Sequence, residues 1–71
     1  MDVSASWPGR VAEIHVAAGD AVVVDQELLV IESMKMLTPV PSTLAGTVAE
    51  VLVSIDDFVD EGHVMLRIDP A

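Results

Sequence analysis

"PGRVAEIHVAAGDAVVVDQELLVIES" runs from Pro8 to Ser33, and "AGTVAEVLVSIDDFVDEGHVMLRIDP" runs from Ala45 to Pro70. The two segments align without a gap at a shift of 37 positions. Nine pairs are identical: Gly9/Gly46, Val11/Val48, Ala12/Ala49, Glu13/Glu50, Val16/Val53, Asp20/Asp57, Val22/Val59, Leu29/Leu66 and Ile31/Ile68. Most other pairs keep polarity, among them Ile14/Val51 and Leu28/Met65. A chain written twice, over about 8–33 and 45–70, dictates its architecture before any single motif is weighed.

Each copy reads as strand, turn, short strand, turn, strand. "VAEIHV" and "VAEVLV" are strands with Ile14/Val51 and Val16/Val53 turned inward. "LLVIES" and "VMLRID" are the returning strands, and short strands end near Val23 and Asp60. Turn residues recur every eight to twelve positions, the spacing of a small sandwich or barrel. Helical periodicity and helix caps are missing. Two such halves, related by a pseudo-twofold axis, are expected to close a flattened all-β barrel without exposed edges. Gly19 is replaced by Asp56 in the second copy, and Gly62 by Asp25 in the first. Gly and Asp exchange where the backbone is left-handed, so positive φ is expected at all four positions.

Seventy-one residues make one domain, spanning 1–71, with a small core. No cysteine is present, so neither disulfides nor thiolate metal sites staple the fold. With Trp7 and Phe58 the only aromatics, the core must be Val, Ile, Leu and Ala. Trp7 is expected to cap the barrel end against the terminal strand. Twelve acidic residues face three basic ones, a net charge of −9. That balance disfavours nucleic acid, whose phosphates need clustered Lys and Arg, and anionic membranes. It suits a soluble protein that stays monomeric through self-repulsion. "MDVSASWPG" is not a signal peptide, and no apolar run approaches transmembrane length. The expected location is the cytoplasm.

The copies are joined by "MKMLTPVPSTL". With strands over 27–33 and 36–41, only Met34 and Lys35 remain for the reversal, a two-residue hairpin. Such turns favour left-handed residues such as Asn-Gly, and Met-Lys fills the role poorly. A locally unfavourable tip indicates that function outranks propensity there. Pro39 and Pro41 lack N–H groups on the same side of their strand, which makes it an edge. Lys35 is the only lysine in the chain, and the join places it at the dyad of the duplicated fold.

"ESMKM" at Glu32–Met36 resembles the Glu-Ala-Met-Lys-Met signature of biotin carboxyl carrier domains, in the biotinyl/lipoyl attachment family. "GDAV" at Gly19–Val22 and "AGTV" at Ala45–Val48 are also similar to that family's motifs. The resemblance covers about Gly9 to Asp69, with Ser33 in the alanine place and Asp25 where glycine is usual. It implies an eight-stranded barrel-sandwich hybrid of two four-stranded antiparallel sheets, with the modified lysine at a hairpin tip. No inserted thumb segment is expected, because the halves align without a gap. The chain is expected to be either a free-standing carrier or an excised domain.

The resemblance further implies biotin joined as an amide to Lys35 by a biotin protein ligase. The carrier then serves a biotin carboxylase and a carboxyltransferase, in an acyl-CoA carboxylase of fatty acid metabolism. Met34 and Met36 would be ligase-recognition elements, since thioethers adapt to several surfaces; Glu32 and Ser33 would shape the hairpin. Two other readings share the fold: a lipoyl carrier, which usually shows Asp-Lys-Ala at the tip, and a scaffold module that has lost the modification.

His15 and His63 read as surface side chains, Glu13 and Glu50 as solvent-facing strand residues. Asp56, Asp57, Asp60 and Glu61 lack EF-hand spacing and read as turn residues, so no metal site is expected. No catalytic constellation is apparent, so no enzymatic activity of its own is expected.

Overall fold

A computed structural model describes all residues, Met1–Ala71. Its strands are β1 (Asp2–Ser4), β2 (Gly9–Ile14), β3 (Ala21–Val22), β4 (Glu27–Ser33), β5 (Met36–Pro41), β6 (Gly46–Val51), β7 (Phe58–Val59) and β8 (Val64–Pro70). They form two four-stranded antiparallel sheets, in the orders β1-β8-β6-β3 and β5-β4-β2-β7. The all-β class, the two sheets and the hairpin over 27–41 are as the sequence predicts. The ladders do not close into a ring, however: β1, β3, β5 and β7 remain edges. Edge pairing is blunted instead by length, because β3 and β7 have two residues each, and by proline in β5.

The repeat is longer than sequence identity reveals. Moving β1 forward by 37 positions lands on Pro39–Pro41 of β5, and the partner strands β8 and β4 exchange in the same way. Ala5 and Ser42 are therefore equivalent, and both are buried. The Ala5 N–H donates to the His63 carbonyl at 2.9 Å, and the Gly62 N–H to the Ala5 carbonyl at 2.8 Å. The matching pair is Ser42 with Gln26 and Asp25, both bonds at 2.8 Å. Each sheet thus takes its two central strands from one copy and its two edge strands from the other.

Turns carry the same exchange. The Val11 N–H donates to the Asp57 carbonyl and the Asp56 N–H to the Val11 carbonyl, both at 2.8 Å. Val48 makes the equivalent bonds with Asp20 and Gly19, also at 2.8 Å. Asp20 and Asp57 are identical in the copies because each closes its own turn, accepting from the N–H three residues back, at 2.9 and 2.8 Å. The four expected left-handed positions are found: Gly19 (φ 95°), Asp25 (71°), Asp56 (77°) and Gly62 (86°).

Both copies also contain a bulge in the first long strand. Register shifts between Val11 and Glu13, and again between Val48 and Glu50. Gly9 and Val11 face inward; one extra residue then lets Ile14 and Val16 face inward too. Between the sheets lies one apolar cluster built around Val11, Leu28, Leu29, Ile31, Val48, Met65, Leu66 and Ile68. Trp7 is not part of it and stays 38% exposed, in the loop between β1 and β2.

The tip and the chain termini occupy opposite ends. The pseudo-twofold operation carries the β4–β5 turn onto the β1 and β8 ends, so Lys35 lies at an extremity and not on the dyad. The end of β6 remote from Pro70 leads into Asp56, which bonds Arg10 and Val11 beside the tip.

Gly46 lets β6 and β8, the central strands of one sheet, approach closely. A Cβ there would lie 2.1 Å from the Asp69 carbonyl oxygen, a backbone atom that cannot swing aside. Gly46→Ala should lower stability by roughly 2–3 kcal/mol, read as a fall in the urea midpoint at unchanged m-value. An unshifted midpoint would contradict the close approach.

Candidate functional site: a lysine on a two-residue turn

Ser33 of β4 faces Met36 of β5 across the ladder, leaving Met34 and Lys35 as the two turn residues. Both have positive φ, 53° and 66°, the geometry of a mirror-type hairpin. Neither side chain suits that region, where an L-residue costs about 1–2 kcal/mol. The expected conflict between propensity and position is therefore present in the backbone.

The side chains project away from the body. Met34 is 94% exposed and Met36 70%, so both thioethers face solvent rather than the core. Lys35 is exposed and makes no ion pair. The other two basic side chains are both occupied: Arg10 with Glu32 and Asp56, Arg67 with Asp2 and Glu50. The Met1 amine donates to the Ile68 carbonyl at 2.6 Å. Lys35 thus carries the only unpaired side-chain cation on an acidic surface.

Beneath the tip lies a contact that sequence reading missed. Arg10 of β2 sits directly opposite Glu32 of β4, and its Nη2 donates to Glu32 Oε1 at 3.0 Å. Its Nη1 donates to Asp56 of the opposite copy. The Glu32 carboxylate beside it, and then Asp56, raise the Arg10 pKa above its ordinary value. The equivalent of Arg10 is Thr47, so this clamp exists only at the tip end. That loss of repeat symmetry at position 10 was the available signal.

Of the expected site residues, Glu32 is thus held by Arg10, Ser33 closes the turn with Met36, and Met34, Lys35 and Met36 stand free. Glu13, Glu50, His15 and His63 are exposed, as read from sequence. His15 lies 3.0 Å from Glu27 and 3.6 Å from Glu13 on the surface. Asp56 and Asp57 are engaged in turn and clamp contacts. Pro39 and Pro41 lie on β5, an edge strand.

The structure is a two-sheet body that holds one unpaired amine at an extremity. The family model described as biotin-requiring enzyme matches residues 1–68. A biotin/lipoyl attachment protein of Bacillus subtilis is 41% identical over 68 residues, covering 96% of this chain and 93% of that protein. The Kluyveromyces lactis urea carboxylase structure superposes with a TM-score of 0.90 at 28% identity, covering 97% of this chain and 6% of that one. The lipoyl domain of the Azotobacter vinelandii 2-oxoglutarate dehydrogenase complex superposes at 0.84 and 27% identity, covering 97% of this chain and 95% of that one. The chain belongs to the biotin/lipoyl attachment family.

The tip's strain is removable. Met34→Asn combined with Lys35→Gly should stabilise the domain by about 1–2 kcal/mol, because Asn-Gly suits the turn. Urea unfolding measures the gain. An unchanged or lower midpoint would show that the turn is not strained.

Proposed function

We propose that this protein is a biotin carboxyl carrier, with biotin held in amide linkage on Lys35. The observation that carries the reading is the unpaired Lys35 amine on a two-residue turn between two exposed methionines. Such an amine fits the attachment chemistry. It can enter an acyl-transfer site without unfolding its host, attack the activated carboxyl carbon, and lose a proton as the leaving group departs. The amide formed carries no positive charge, so the tip becomes neutral.

Biotin so held supplies a ring nitrogen that accepts a carboxyl group at one active site and gives it up at another. The protein's own contribution is positional. β5, stiffened by Pro39 and Pro41, and the Arg10–Glu32 clamp hold the base of the arm while its end stays free. Tethering keeps the group concentrated near both sites. The partners are a biotin protein ligase, a biotin carboxylase and a carboxyltransferase. We assign the acceptor to the acyl-CoA class and the setting to the cytoplasm. The protein acts as a monomer, spans 1–71 as one biotinyl domain, and catalyses nothing itself. Met34 and Met36 serve ligase recognition, with Glu32 and Ser33 setting the turn.

A lipoyl carrier is the second reading, favoured by the match to a lipoyl domain over 95% of that domain's length. Met-Lys-Met at the tip supports biotin over lipoate. Incubating the purified domain with biotin protein ligase, biotin and ATP should add one biotin by intact mass. Lys35→Arg should add none. Modification by lipoate ligase alone, or by neither enzyme, would overturn the assignment.

A further inference from the structure

The pseudo-twofold fold has two equivalent ends, and their surfaces differ. On the outer face of the tip sheet, one cross-strand row reads Leu37, Glu32, Arg10, Phe58. Leu37 is 59% exposed and Phe58 67%, at the two margins of the row, with the ion pair between them. Strand spacing puts them roughly 14 Å apart. Ile55, 56% exposed, precedes Asp56, whose carboxylate accepts from Arg10. Met34 and Met36 are exposed at the same end, which carries Lys35.

The repeat supplies its own control. Phe58 corresponds to Ala21 of β3, and Ile55 to Ala18 in the turn before it, at the far end. The fold therefore needs only alanine at these places. The far end keeps Val23, Val24 and Met1 exposed, but its turn carries no large apolar side chain at the repeat positions of Ile55 and Phe58. Large apolar groups left in water, where the duplicate shows that small ones suffice, mark a contact surface. Asp57, Asp60 and Glu61 are exposed on the same copy and rim it with negative charge.

We infer that the β6–β7 turn and the start of β7, through Ile55 and Phe58, are a docking element for the ligase that acylates Lys35, a partner presenting an apolar surface rimmed by Lys and Arg. This rests on the proposal that Lys35 is modified. The choice of occupant follows from length. A bare lysine side chain reaches only a short way, so the enzyme that acylates it must press against the body of the domain. Enzymes served later meet a longer arm and can stand off. Charge agrees: a partner approaching a chain of net charge −9 gains from a basic rim.

The test is steady-state biotinylation of the purified domain by biotin protein ligase, with the domain concentration varied. Ile55→Ser with Phe58→Ser should raise KM about tenfold and leave kcat within about twofold, and Phe58→Leu should keep most of the wild-type KM. Val23→Ser with Val24→Ser, at the far end, should leave both constants unchanged. Wild-type KM should rise with ionic strength. Urea unfolding confirms that each variant is folded, which these exposed positions permit. A wild-type domain that is biotinylated, beside a folded double variant with unaltered KM, overturns the docking inference while leaving the carrier reading intact. An equal effect of the far-end pair overturns it as well. A wild-type domain that accepts nothing on Lys35 overturns both.

Discussion

The main-chain exchange at Val11 and Val48 is the constraint on which the molecule depends. Each valine gives its N–H and its carbonyl to a turn of the opposite copy. Neither copy can satisfy that backbone alone, and a buried unpaired peptide group is costly. The bulge beside each valine follows from the same arrangement: the strand must bend there, and the inward set changes parity to keep facing the core. Thirty-seven residues would make too small a core to fold, whereas two interlocked copies bury a single cluster. Stability is therefore shared between the halves and cannot be divided into two additive parts.

Against that rigid frame, the tip is a local concession. Two residues adopt left-handed backbone without the side chains that suit it, and two methionines stand in water. Energetically the turn would be better as Asn-Gly. The frame tolerates it because the hairpin is held on one side by β4–β2 pairing and, through Arg10, by the opposite copy's turn. Surface ion pairs add little to stability. The value of this one lies in direction, since it fixes Glu32 at the foot of the turn.

Much of this was legible in the sequence because it depends on local rules that act twice. Exchange of Gly and Asp at 19/56 and 25/62 gave the left-handed turns; the prolines at 39 and 41 gave the edge. Strand ends around Met34 and Lys35 left no room for a longer loop. Non-local features were harder to read. Ala5 and Ser42 share burial and hydrogen bonding but not identity, so residue identity marks the repeat only from Gly9 and Gly46 onward. The clamp joins residues 10, 32 and 56, which no window of sequence brings together. The change of parity at Ala12 and Ala49 was visible as a break in alternation, yet strand propensity alone gives no reason to place a bulge there. Trp7, large and apolar, lies outside the central cluster and keeps 38% of its surface exposed.

The separation of tip and termini has a mechanical consequence. Seven-residue strands span roughly 23 Å, more than either short dimension of the 34 × 19 × 17 Å body, so its long axis runs along the strands. Any segment joined at a terminus would pull on one end of a stiff rod, while a group carried on Lys35, as proposed, would sweep from the other. The body itself would then add a fixed boom to the radius swept by such an arm, and active sites spaced further apart than the arm alone could span would come within reach.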